Sequence, residues 1–206
     1  DERELAVNAG VGWRGKNGLV FIDGYGSYIA LGEIVTDIEL PPGAPLDVDH
    51  CRDCDICVQS CPTGALTKPF NRDRCISHLT QTGGATPANL REQIADRVYG
   101  CDVCQEVCPH NQGLAPVSPE FAVDAFPGPC PELIPLITLT SAEFSSYVKN
   151  SPIGWIRRSR IRRNPAIAAG NLRRDEAPPA LACALDDPND LVRGLAAWAL
   201  GMRGTA

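Results

Sequence analysis

Apolar and polar positions follow three different rhythms along the 206 residues. Charged residues lead from Glu2 into Leu5, Ala6 and Val7 before Gly10, a pattern that predicts a short helix stopped at a glycine. Two apolar runs follow, Leu19–Ile22 and Tyr28–Val35, on either side of the glycine-bearing stretch Asp23–Ser27. That spacing predicts a β-hairpin. Pro41, Pro42 and Gly43 end the region. From 48 to 115 no long periodicity appears, and turns alternate with short helical pieces such as Ala88–Val98. Prolines crowd the stretch from Pro116 to Pro135, which reads as a connector. Residues 138–206 are alanine-rich with helical spacing, and Arg163–Gly170 is echoed by Arg193–Gly201 at an offset of thirty residues.

That echo points to HEAT-type helical repeats, units that bury their faces only by stacking on neighbours. Hydrophobic residues make up 44% of the chain, enough for real cores, and the net charge of −6 advertises no general affinity for polyanions. No apolar run is long enough to span a membrane and no signal peptide is present, so a reducing, cytoplasmic compartment is expected. The chain starts at Asp1 inside patterned sequence and stops just after a helical pattern, which suggests part of a longer protein.

Eight of the ten cysteines carry the chemistry. Cys51, Cys54, Cys57 and Cys61, with Pro62 behind them, reproduce the C-x2-C-x2-C-x3-C-P run of bacterial ferredoxins. Cys101, Cys104, Cys108 and Pro109 repeat the last part of that run, and Cys75 can supply the missing ligand. Eight thiolates suit two 4Fe-4S clusters. In two-cluster ferredoxins the cysteine before proline ligates the other cluster. The expected sets are therefore Cys51, Cys54, Cys57 and Cys108 for cluster one, and Cys61, Cys75, Cys101 and Cys104 for cluster two. A pair of zinc sites is the competing reading, but zinc needs neither the extra cysteine before proline nor crossed pairing. Cys183, between Ala182 and Ala184, reads as a buried small apolar residue. Cys130 has no evident role.

Three further features draw attention. Gly10, Gly15, Lys16 and Asn17 look superficially like a phosphate-binding loop, yet Asn17 stands where a hydroxyl should bind magnesium. The glycines instead suggest close approach to a bulky ligand. Arg157, Arg158, Arg160, Arg162, Arg163, Arg173 and Arg174 crowd one short stretch. They are either a solvated face paired with Asp175 and Glu176, or a footprint for a phosphate backbone. His50, His78 and His110 all lie near cluster cysteines and could tune a cluster or shuttle protons.

Ordered motifs along nearly the whole chain resemble the epoxyqueuosine reductase family. They include Gly12-Trp13 with Gly15-Lys16-Asn17, Gly26-Ser27 with Leu31-Gly32-Glu33-Ile34, Arg74-Cys75-Ile76-Ser77, Tyr99-Gly100-Cys101-Asp102, and Arg163-Asn164. The resemblance implies a cobalamin-dependent oxidoreductase that reduces epoxyqueuosine in tRNA to queuosine, with electrons relayed by the two clusters. It implies an α+β chain in three parts. Residues 1–47 would be the remnant of an α/β cobalamin-binding domain, 48–115 a ferredoxin-like double-cluster domain, and 138–206 a HEAT-like helical region after a 116–137 connector. Lys16, Ser27, Ser77, Cys101 and Asp102 would face the corrin, and Arg157, Arg158 and Arg162 would hold the tRNA backbone. An external donor such as flavodoxin or ferredoxin, and a monomeric state, complete the expectation. The family's acidic proton donor belongs to a segment upstream of Asp1, so no catalytic residue is assigned. The chain departs from the family at His78, where tyrosine is commoner, and at His110, where tryptophan follows Cys-Pro. The readings that compete are a bare ferredoxin-like electron carrier, another corrinoid iron–sulfur reductase such as a reductive dehalogenase, and a structural zinc-and-repeat scaffold.

Overall fold

The computed structural model describes residues 1–46, 48–115, 117–121, 128, 130–149 and 151–204. Much of the expected connector, and the boundary residue Asp47, lie outside them. The main elements in chain order are α1 (Glu2–Asn8), β1 (Trp13–Arg14), β2 (Val20–Phe21), α2 (Ile56–Gln59), α3 (Ile76–Gln81), α4 (Ala88–Ile94), α5 (Val103–Glu106), α6 (Leu133–Ile137), α7 (Ser141–Glu143), α8 (Arg158–Leu172), α9 (Ala177–Ala184) and α10 (Asp190–Gly204). Among the described residues the chain is mostly helical with one two-stranded sheet, and no described helix is long and apolar enough to cross a membrane. It divides into two compact units, one of residues 1–71 with 102–117, the other of residues 72–101 with 118–206. The division therefore runs through the expected 48–115 region.

In the first unit α1 forms as its pattern predicts. Asp1 caps it by accepting the Arg3 N–H at 3.1 Å, and Gly10 follows at φ 71°. The hairpin differs from expectation. Val20–Phe21 pairs antiparallel with Trp13–Arg14, Trp13 opposite Phe21, and not with the run from Tyr28 to Val35. The turn is short enough to close locally, with the Gly15 N–H donating to Leu19 and the Asn17 carbonyl oxygen accepting the Leu19 N–H. The second apolar run has no regular structure, and Ile34 and Val35 stand 93% and 98% exposed. The glycines also have a different use. A Cβ on Gly12 would strike the Phe21 carbonyl, one on Gly15 would meet the Phe21 ring at 2.7 Å, and one on Gly26 would strike Asn111. The close neighbour at each is the protein itself.

In the second unit α8, α9 and α10 pack on small residues. Ala166 and Ala169 of α8, Ala177, Ala180, Leu181 and Ala184 of α9, and Val192, Ala196 and Ala199 of α10 form one buried cluster with Ile137. Gly170 lets α8 approach α10, since a Cβ there would lie 3.0 Å from Ala199. Cys183 falls off the buried face of α9 and is exposed, contrary to its expected burial. The reason is helical phase: the inward positions are already taken by Ala180, Leu181 and Ala184.

Candidate iron–sulfur site

The first unit brings together Cys51, Cys54, Cys57 and Cys108. Burial pushes the Cys57 thiol up, and the nearby Cys51, Cys108 and Cys54 push it further. Burial likewise raises Cys108, with the His110 N–H opposing and Cys51 and Cys54 adding to the rise. Cys57 and Cys108, each feeling the charge of neighbouring thiols, resist ionising without a cation among them. That is the environment a 4Fe-4S cluster would relieve, so the residues fit the group. Among the described residues no set of three or more His, Cys, Asp or Glu groups is placed to hold a single ion. A cubane differs from a lone zinc in presenting four separate iron corners, so its thiolates need not converge on one point.

Local structure explains how these cysteines are held. Asp49 Oδ1 accepts the N–H groups of Cys51 and Arg52 at 3.0 and 3.1 Å, fixing the turn whose Cys54 N–H donates to the Cys51 carbonyl at 2.8 Å. Arg52 sits at φ 43° inside it. Lys16 clamps the same turn. Its N–H points at Cys51 Sγ at 3.4 Å, and its Nζ donates to the carbonyls of Arg52 at 2.6 Å and Cys54 at 2.9 Å. Cys108 is buried against Trp13 and Phe21, whose rings stack at 4.6 Å, with Leu19 and Cys51 beside them. His50 and His110 pack their rings on Trp13 at 4.7 and 5.0 Å. His78 belongs to the second unit and faces Asp73 at 3.9 Å, a pair that is ionic only when the imidazole is protonated.

Cys61 and Cys104 also lie in the first unit. Burial pushes the Cys61 thiol up, but N–H groups of Ala65, Thr63 and Leu66 and the Thr63 hydroxyl outweigh it and hold the thiol below its ordinary value. The Ala65 N–H reaches the sulfur at 3.3 Å. The turn after Cys-Pro is thus an anion nest for a thiolate. Cys75 and Cys101 belong to the second unit, where Cys75 opens α3 and Cys101 packs against Ile76 and Ile94.

The residues expected at a corrin have mixed fates. Ser27 is buried, and its hydroxyl donates to Gln105 Oε1 at 2.9 Å while accepting from Asn111 at 2.9 Å. Gln105 in turn donates to Asp102 at 2.8 Å, so Ser27 and Asp102 share one network. The Lys16 ammonium serves the Cys51–Cys54 turn. Ser77 accepts from Gln81 inside α3. Asp49, Gln105 and Asn111 were assigned no role from the sequence; the position of Asp49 two residues before Cys51, and the places of Gln105 and Asn111 within the second cysteine motif, were the available signals.

The arginine stretch is corrected in part. Arg162 is 9% exposed, ion-paired with buried Asp187, and donates from Nε to the Ile137 carbonyl at 2.7 Å. It is a structural residue, unavailable to a phosphate. Arg163 is 2% exposed and donates to the carbonyls of Leu79, Thr82 and Gly84. Arg174 pairs with Glu176 as the solvated-face reading expects.

Residues 50–111 match the model of a 4Fe-4S double cluster binding domain, and residues 163–202 match a HEAT-like repeat. The epoxyqueuosine reductase of Bacillus anthracis is 37% identical over 211 residues, covering 98% of this chain and 54% of that protein. A crystal structure of selenomethionine-labelled epoxyqueuosine reductase superposes with a TM-score of 0.91 at 38% identity, over 98% of this chain and 55% of that one. The chain belongs to the epoxyqueuosine reductase family. It spans about half the length of the curated relatives it matches. An epoxyqueuosine reductase solved with an epoxyqueuosine-modified tRNA-Tyr stem loop is also similar, with a TM-score of 0.88 at 37% identity, over 99% of this chain and 55% of that one. Family membership accounts for the double-cluster cysteines and the helical repeats in one chain, which neither the zinc scaffold nor a bare ferredoxin does.

Proposed function

We propose that this chain is the electron-relay part of a protein that reduces epoxyqueuosine in tRNA to queuosine, with electrons passing through two 4Fe-4S clusters to cobalamin. The observation that carries the reading is the grouping of Cys51, Cys54, Cys57 and Cys108 in one unit of a chain that matches epoxyqueuosine reductases along nearly its whole length. These four would hold cluster one, and Cys61, Cys75, Cys101 and Cys104, by their order in the sequence, cluster two. In this reading Lys16 fixes the Cys51–Cys54 turn, and the Cys61 nest favours the thiolate that an iron corner requires. Trp13, Phe21 and Leu19 keep water from the Cys108 side of cluster one.

When bound, cobalamin supplies strong reducing power at a metal. The Lys16 and Ser27 side chains do not fit a corrin contact, because their polar groups are committed inside the unit. Asp102, Ser77 and Cys101 remain the proposed contacts from this chain. Residues 1–47 are read as the later part of the cobalamin-binding domain. The polyanionic partner is tRNA, held in part by Arg157 and Arg158. Of these, Arg158 already gives one nitrogen to the Leu139 carbonyl at 2.8 Å. The same reading sets the whole protein in the cytoplasm as a monomer, with a flavodoxin or ferredoxin as donor.

The test is anaerobic purification of the full-length protein. Expected are about eight irons per chain, an added corrinoid absorption band, and conversion of epoxyqueuosine to queuosine in tRNA followed by mass spectrometry of digested nucleosides. Iron without a corrinoid band or turnover would instead establish a ferredoxin-like carrier.

A further inference from the structure

The second unit carries a cavity of about 140 Å³ that the reading above does not use. Its walls are Gly83 and Gly84 from the segment after α3, Arg157, Ser159, Arg160 and Arg163 from the start of α8, and Asn189 and Leu191 at the start of α10. Among the described residues no carboxylate lines it. Of the acids beside Asn189 in sequence, Asp190 accepts the Leu191 N–H at 3.0 Å and Asp187 is occupied by Arg162.

Each wall offers donors. Arg157 stands at the N-cap of the fifteen-residue α8 with no side-chain cap bond, so the first amides of that helix lack the acceptor a Ser or Asp would give. Asn189 spends its carbonyl oxygen on the N–H groups of Leu191 and Val192, which leaves its amide nitrogen as the group it can offer. Ser159 brings a hydroxyl. Arg160 gives one nitrogen to the Gln81 carbonyl at 3.0 Å, and its Nη2 lies where a Cβ on Gly83 would be only 3.2 Å away. Glycine at 83 therefore makes room for this guanidinium. Arg163 behind it is pulled down to about 10, first by burial and then by the charge of Arg160. Two guanidinium groups thus share a recess with a third at its edge, and none of the described lining residues is acidic.

We propose that this cavity is a socket for one phosphodiester group of the bound RNA, gripped by Arg157, Ser159, Arg160 and the amide of Asn189. A cavity of this size has room for a phosphate, and the guanidinium groups in its lining suit an anion. Planar guanidinium forks match its oxygens, and the open helix end adds amide donors. The inference rests on the reading that RNA is the partner, and it adds a single fixed point of contact to what would otherwise be diffuse attraction.

The experiment uses the full-length protein and a synthetic anticodon-type RNA hairpin in which a neutral methylphosphonate is walked one position at a time. Arg160→Gln and Ser159→Ala should each weaken binding, Arg160→Gln by about tenfold, the loss expected of one charge-assisted contact. One methylphosphonate position should weaken the wild type by a similar factor and leave Arg160→Gln unchanged. Circular dichroism checks folding; should Arg160→Gln fail to fold, Ser159→Ala and Arg157→Gln carry the same comparison. Equal losses at every backbone position in wild type and variants would overturn the socket. So would inorganic phosphate stabilising the wild type while hairpin affinity ignores all three substitutions, since the site would then serve free phosphate. A wild type that binds no hairpin would sink the RNA reading itself.

Discussion

Asn164 Nδ2 donates to the Thr80 carbonyl at 2.8 Å inside the second unit, and the same amide also reaches the Val98 carbonyl at 2.7 Å. Thr80 returns the connection through its hydroxyl, which accepts the Gly100 N–H at 3.0 Å. The α3 segment that opens at Cys75 and the strand of chain that ends at Cys101 are therefore tied to each other and to α8. A helix of the repeat region thus frames Cys75 and Cys101, the two ligands proposed for cluster two from this unit. Asn164→Ala would orphan two buried carbonyls and should destabilise the protein by about 2 to 4 kcal/mol. Thermal unfolding should record that loss, and iron per chain should fall with it. Unchanged iron at an unchanged melting temperature would show that α8 does not frame these cysteines.

Lys16→Met separates two roles for one residue. Its ammonium holds the carbonyls of Arg52 and Cys54, so the substitution should loosen cluster one and lower iron content toward about half of eight. Corrinoid binding by the full-length protein should change little. Loss of the corrinoid band with iron intact would restore the corrin role that the motif suggests.

The double-cluster domain was legible because its cysteines lie in local spacing, and residues 50–111 match such a domain. The arginines were not. Arg162 meets Asp187, and Arg163 meets carbonyls at Leu79, Thr82 and Gly84, about eighty residues upstream. Nothing local distinguishes a guanidinium bound for a core from one bound for solvent. The run from Tyr28 to Val35 misled for a related reason. Its apolar residues look like a strand, but the ladder positions of β2 are taken by the nearer Trp13 and Arg14. The turn from Gly10 to Gly15 was read as a place of close approach, and the protein's own Ala44 carbonyl and Phe21 ring lie close to those two glycines.

Cys75 stands apart from both cysteine runs, which makes it the sharpest check on the crossed ligand sets. Cys75→Ala should leave about four irons per chain and bleach roughly half of the visible absorption. Cys130→Ala should leave iron content unchanged, since that exposed thiol has no place in either set. Full iron in Cys75→Ala would require another fourth ligand for cluster two.

Arg157 and Arg162 belong to the same arginine-rich stretch but should fail differently. Arg162 is buried and ion-paired with Asp187, which is itself buried. Arg162→Met strands that carboxylate in the core and should cost about 3 to 5 kcal/mol of stability. Wherever the variant remains folded, its affinity for tRNA should keep the wild-type dependence on salt. Arg157 is exposed, so Arg157→Gln should leave the melting temperature nearly unchanged. It should flatten the slope of log affinity against log salt by about 0.7 to 0.9, the release expected for one phosphate contact. Binding titrations at several salt concentrations, paired with thermal unfolding, separate the two effects. A flattened slope in folded Arg162→Met, or an unaltered one in Arg157→Gln, would reverse the assignment of which arginine faces the nucleic acid.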